Sequence, residues 1–176
     1  MQQHLVVTVL GSFKPDLLHH FTQACEQFQC QLVNADSSVL GQELACMFYI
    51  SGHWGQLAKL ENHLNQLKHH HQLSLDFKRT DPKALIAPAI PYLVHISAVD
   101  RNEVPALVTG FFTGQKLIIS EFSCTRYITS QTQTNMLAIS MTVLVPTDTH
   151  LAELRESFIL FCDEQNLDAM FELDRS

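Results

Sequence analysis

The chain has 176 residues, of which 46% are apolar and 16% charged, and a formal net charge of -7. At about 100–200 residues per domain this is one domain or two small ones, and it is too apolar and too weakly charged for disorder. With 11 Lys plus Arg against 18 Asp plus Glu, a concentrated basic face is not expected, which argues against direct binding to nucleic acid or to anionic lipid.

The start, Met1-Gln2-Gln3-His4, has no basic region, and Leu5 to Leu10 is too short for a signal peptide. No apolar run approaches the ~20 residues that span a bilayer. The five cysteines are odd in number and form no Cys-x-x-Cys pair, which speaks against a disulfide framework or a zinc ribbon. The expectation is a soluble cytoplasmic protein.

Leu5 to Leu10 is a short β-branched run and reads as a strand. Leu17, Leu18, Phe21, Ala24, Cys25 and Phe28 then mark one apolar stripe of a helix. Gln31 to Ser38 and Leu44 to Ile50 are strand-like, with Leu40-Gly41-Gln42 as a hairpin turn. Leu57, Leu60, Leu64 and Leu67 predict a second helix, and the alternation Leu73, Leu75, Phe77 a closing strand. Asp81-Pro82-Lys83 and Ala87-Pro88-Ala89-Ile90-Pro91 read as a semi-stiff linker over 81–90.

The second half repeats the order. Tyr92 to Ile96 is a strand. Val104, Leu107, Val108 and Phe111 stripe a helix, with Pro105 near its start. Leu117 to Cys124 and Met136 to Val145 follow as strands, joined by a polar turn over 129–135. Leu151, Leu154, Phe158 and Phe161 repeat the spacing of the leucines in the first half, with Asp148 and Thr149 as candidate caps. Ala169, Phe171 and Leu173 alternate.

Each half thus reads β-α-β-β-α-β, the ferredoxin-like split unit: an antiparallel sheet with two helices on one face, α+β in class. The expected domains are 1–80 and 91–176. A core of ~80 residues is marginal alone, and joining sheets edge to edge protects exposed strands.

A tandem of such units resembles a pair of ACT domains, small regulatory modules that often bind amino acids. The first half is more specifically similar to the glycine cleavage system transcriptional repressor family. Cys30-Gln31-Leu32-Val33-Asn34-Ala35-Asp36, Leu40-Gly41, Glu43, Ser51-Gly52 and Trp54 stand where that family reads Cys-Asn-Ile-Glu-Asp-Ser-Arg, Leu-Gly-x-Glu and Ser-Gly-x-Trp. Lys78-Arg79-Thr80 also matches. The second half matches mainly in architecture. The resemblance implies a non-enzymatic co-repressor that binds a DNA-binding transcriptional activator, with glycine opposing the association. The alternative is an amino-acid sensor without a transcriptional partner. A homodimer through sheet edges or helices is expected, with no cofactor, metal or catalytic set.

The resemblance also places a ligand loop between first strand and first helix, where an ACT domain reads Asp-Arg-Pro-Gly. Backbone N–H groups at a helix start hold a carboxylate there, and Gly admits the ligand. The first loop is Gly11-Ser12-Phe13-Lys14-Pro15-Asp16: Phe13, Lys14 and Asp16 replace Asp, Arg and Gly, and Pro15 is kept. The second, Asp100-Arg101-Asn102-Glu103, keeps Asp and Arg. Two readings stand side by side. Either these are modified amino-acid sites, or Asp16 and Glu103 occupy the helix N-termini themselves and close the loops. Asn34 and Asp36 are candidates to accept bonds from a ligand ammonium, or lie on a solvated strand face.

Of ten histidines, His19-His20 and His69-His70-His71 are clustered. Adjacent residues of a helix point apart, so these read as surface histidines. Cys25 and Cys162 fall on apolar helix faces and read as core. Phe13, Trp54 and Tyr127 are core residues or interface anchors.

Overall fold

The computed structural model describes residues 2–82 and 88–175. The chain divides into two compact units, Met1–Ala84 and Leu85–Ser176. The first runs β1 (Gln2–Ser12), α1 (Leu17–Gln27), β2 (Gln31–Leu40), β3 (Glu43–His53), α2 (Trp54–His71) and β4 (Ser74–Thr80). The second runs β5 (Ala89–Val99), α3 (Val104–Gly114), β6 (Ile118–Ile128), β7 (Asn135–Pro146), α4 (Leu151–Gln165) and β8 (Asp168–Leu173). Both are α+β units of β-α-β-β-α-β order.

The sheets have equivalent orders, β2-β3-β1-β4 and β6-β7-β5-β8, and every neighbouring pair is antiparallel. Alternation sets their faces. Leu5, Val7 and Val9 point inward and are buried with Phe48 and Ile50 of β3, Leu17 and Phe21 of α1, and Leu57, Leu60 and Leu64 of α2. Phe21 stacks on Phe48 at 5.2 Å between ring centroids. In the second unit Val94, Ile96, Ile139 and Val143 form the inner row against Val108, Phe112 and Phe158. Cys25 and Cys162 are both in these cores. Burial pushes each thiol up to about 11, with Cys30 adding to the first and Asp163 to the second, so both stay protonated and unreactive near neutral pH.

Gly41 makes the β2–β3 turn at φ 66, a backbone that favours glycine. β6 and β7 are joined by the longer turn over 129–134, which is tied by hydrogen bonds from Thr129 N–H to Thr134 O and from Gln133 N–H to Thr129 O, each 3.0 Å.

Two expectations change. The proline-rich linker is shorter than its sequence suggests: Ala89, Ile90 and Pro91 belong to β5, paired with Pro146, Val145 and Leu144. Pro91 lacks an N–H, but its carbonyl still accepts the Asp174 N–H at 3.0 Å, which suits a proline near a strand start. Residues 83–87 of the linker lie outside the described residues. At α4 the N-cap is His150, with no capping side-chain bond. Asp148 and Thr149 instead lie in the preceding turn, which Thr149 N–H closes onto Pro146 O at 3.0 Å.

Candidate functional site

In the first unit, the loop after β1 is held by a bond from Phe13 N–H to Gln42 O at 2.9 Å, which ties it to the β2–β3 turn. Lys14 O accepts the Leu17 N–H at 3.1 Å and Asp16 O the His20 N–H at 3.0 Å. Gly11 and Ser12 end β1 opposite Leu44 and Glu43. Gly11 is a packing glycine: a Cβ there would meet Leu73 Cδ2 far inside contact distance. Pro15 precedes the N-cap, and Phe13 is 50% exposed.

The expected self-capping is not made. Asp16 is the N-cap of α1 but has helical φ,ψ of -92° and -10°, and forms no side-chain cap. Capping side chains need an extended N-cap backbone to fold back on the amides. The Asp16 carboxylate instead lies 3.8 Å from His20 Nε2, one turn on. Glu103 caps α3 with φ -77° and ψ -21°, again without a side-chain bond.

The second loop is tied by its own charges. Arg101 donates to Gln165 O at 2.6 Å at the end of α4 and pairs with Glu103 at 3.4 Å. Arg126 of β6 donates to Asp100 Oδ1 at 2.9 Å and to Asn102 Oδ1 at 3.3 Å. Asp100 N–H donates to Asn135 O at 3.0 Å. Every residue of the retained Asp-Arg motif thus has an internal partner. Arg126 escaped sequence reading because it lies 26 positions from Asp100 in the chain; only the β6–β7–β5 pairing brings it there.

Asn34 and Asp36 do not join the first loop. They pair with Tyr49 and Met47, beside Val6 and Thr8 of β1. That is mid-strand, on the face away from the helices, and both are exposed.

The histidines are brought together as the sequence did not suggest. His20 of α1 meets His71 at the end of α2 at 5.4 Å between ring centroids, and His71 meets His70 edge-on at 4.6 Å. The Nδ1 atoms of His20 and His71 are buried without a hydrogen-bond partner. Burial lowers the His71 pKa, and the charges of His70, Lys14 and His20 lower it further, against an opposing pull from Asp16. Among the described residues, no group of three His, Cys, Asp or Glu is placed to hold a metal.

A lowered folded-state pKa means that the unfolded chain takes the proton first. Stability from His71 is therefore full above the ordinary histidine value near ~6.5 and is lost as pH falls below it. The melting temperature is expected to drop between pH 7 and pH 5, and to drop less in His71→Gln. Calorimetric scans at matched pH check this; equal slopes for the two proteins would sink it.

The motif residues are joints of the fold. Ser51 is buried, accepting from Gln2 Nε2 at 3.1 Å and donating to Gln31 Oε1 at 3.4 Å. Gly52 leaves room for Cys30 Sγ and Leu57, each 3.4 Å from where its Cβ would be. His53 N–H donates to Gln56 Oε1 at 2.8 Å at the start of α2, and Trp54 beside it is 67% exposed.

Two small four-stranded sheets, each backed by two helices and each with a loop leading into its first helix, define a tandem of units with the ACT-type fold. Residues 3–78 match the ACT domain family model. Nearly the whole chain is similar to the glycine cleavage system transcriptional repressor of Escherichia coli (strain K12): the two are 24% identical over 168 residues, covering 94% of this chain and 87% of the other. The Shigella flexneri protein of the same name matches equally. Among solved structures, one provisionally assigned as a glycine cleavage system transcriptional repressor superposes with a TM-score of 0.73 at 21% identity, over 100% of this chain and 99% of the other. A Galdieria sulphuraria protein of unknown function gives 0.77 at 17% identity, over 99% of both chains. These structural likenesses establish the fold, and the named relatives support a regulatory role. No helix among the described residues is long and apolar enough to cross a membrane.

Proposed function

We propose that the chain is a non-enzymatic transcriptional regulator, a co-repressor of glycine cleavage genes that acts by binding a DNA-binding activator, with glycine or another amino acid tuning that contact. The net charge of -7 suits action through a protein rather than on DNA itself.

One observation carries the ligand part: the two loops differ. Both helices begin without a side-chain cap, but Asp100 and Arg101 of the second unit are engaged with Arg126 and Gln165, whereas Phe13 and Lys14 at the corresponding positions of the first loop are exposed. A free helix start suits a ligand carboxylate, so the proposed site is the first loop: Gly11, Ser12, Phe13, Lys14, Pro15 and Asp16. Lys14 supplies positive charge, and Asp16 is the group to which an ammonium would turn. The sheet edges β2, β4 and β6, unpaired among the described residues, suit assembly as a homodimer.

Thermal unfolding with each of the twenty amino acids tests the ligand, and co-purification with the activator, with and without glycine, tests the partner. A ligand at 100 times its Kd stabilises by about 2.7 kcal/mol. Glycine is expected to raise the melting temperature, to lose that effect in Lys14→Glu, and to release the activator. A melt indifferent to all twenty would remove the amino acid from the proposal; an activator that never co-purifies would remove the partner.

A further inference from the structure

In the second unit, α4 and the edge strand β8 bound an open groove of about 1150 Å³. Its apolar floor includes Phe158, Cys162 and Phe171, with Ile159 at 59% and Leu173 at 44% exposure on its walls. The equivalent seam of the first unit is bridged: Arg79 pairs with Glu61 at 3.1 Å, and Lys68 Nζ donates to Leu75 O at 3.4 Å.

Among the described residues β5 is the one strand neighbour of β8, which leaves the other backbone edge of β8 free. The bond from Asp174 N–H to Pro91 O sets the phase of the ladder. In an antiparallel pair, alternate residues turn both backbone groups to the same neighbour. Asp168, Met170 and Glu172 therefore bond toward β5, and Ala169, Phe171 and Leu173 turn their N–H and C=O outward. An exposed edge of this kind is a template for another strand.

The side chains say which strand. On the helix side the row Ala169, Phe171, Leu173 faces the apolar groove. On the other side the row is Asp168, Met170, Glu172, while Asp163 of α4 lies at the rim on the helix side. Of the two cations in the lining, Arg155 is held over the Phe171 ring at 5.6 Å, and Arg175 is the other. A second copy of β8 fits poorly. A two-fold pairing centred on Met170 sets Asp168 against Glu172 of the second copy, and one centred on Phe171 sets Asp168 against Asp174. Like charges placed opposite are destabilising.

We infer that the β8 edge docks an extended segment of a partner protein by strand addition, a segment alternating Lys or Arg on one face with aliphatic residues on the other. This deepens the regulatory reading above and rests on it, because it says where and by what chemistry a protein partner is held.

The test uses the full chain and two fluorescein-labelled octapeptides, one alternating Lys and Val and one alternating Glu and Val, read by anisotropy. The Lys–Val peptide is expected to bind and the Glu–Val peptide not. Glu172→Lys, an exposed substitution that spares the core, is expected to weaken binding tenfold or more. Leu173→Pro, which removes one outward N–H while leaving the β5 ladder intact, is expected to abolish it, with circular dichroism checking the fold. Equal binding of both peptides, or no effect of either variant, would overturn the inference. So would a dimer in sedimentation that Leu173→Pro dissolves, since the edge then belongs to a second copy. Activator co-purification on the same variants separates the failures. If Leu173→Pro still holds the activator, the edge is wrong and the regulatory reading stands; if wild type never holds it, the regulatory reading fails whatever the peptides do.

Discussion

Phe112→Ala is expected to lower the stability of the second unit by about 3–5 kcal/mol, the usual cost of emptying a buried aromatic site. Phe112 is 0% exposed, and its ring lies 5.1 Å from Phe111, 5.2 Å from Phe158 and 6.4 Å from Phe171. It joins α3, α4 and β8, so its loss loosens three elements at once. Aromatic pairs contribute about 0.5–1.5 kcal/mol beyond area. Neighbours of this bulk close a cavity poorly, which puts the site toward the upper end. The first unit has a separate core and should be spared. The one Trp, Trp54, lies in the first unit and reports on it. Urea titration followed by Trp fluorescence and by far-UV circular dichroism checks both parts. A Trp54 transition that shifts as far as the circular dichroism would mean that the units unfold as one.

Gly11→Ala is expected to cost about 1–3 kcal/mol, the range for overpacking a filled site. The obstacle is Leu73 Cδ2. Leu73 is 5% exposed, so its Cδ2 methyl has to turn within a filled core to make room, and the cost is that of the repacking. Strain must pass either to the α2–β4 junction or to the end of β1, which carries the first loop. Combining Gly11→Ala with Leu73→Ala separates the steric cost from the loss of the leucine. The pair should be less damaging than the sum of the single changes, as expected for residues in contact. Additive losses would show that the clash is not the cause.

The alternation of Leu73, Leu75 and Phe77 and of Ala169, Phe171 and Leu173, and the matched spacing of Leu57–Leu67 and Leu151–Phe161, carried the fold in the sequence, because periodicity reports which face is buried. Strand ends were under-read: β1 and β5 extend into polar or proline-containing residues that pairing holds in the sheet. The site was legible in position but not in state. Two carboxylates at helix starts suggested self-capping, yet the local backbone at Asp16 and Glu103 prevents it. Spacing along the chain could not bring His20 to His71 or Arg126 to Asp100, since those meetings depend on helix packing and sheet order. Asn34 and Asp36 were close to the loop in sequence logic only, for the pleat places them on the opposite face.

In each unit the first and last strands are neighbours: His4 pairs with Thr80, and Tyr92 with Leu173. The chain therefore enters and leaves each sheet at the same end, side by side. A module with adjacent entry and exit can be copied in series with a short joint, without rethreading either copy. The same property makes the module tolerant of new ends: the tight turn at Gly41 could be opened and the original ends fused while every strand kept its neighbours. The architecture is thus of a kind that duplication can extend, leaving one copy free to lose a binding loop while the other keeps it.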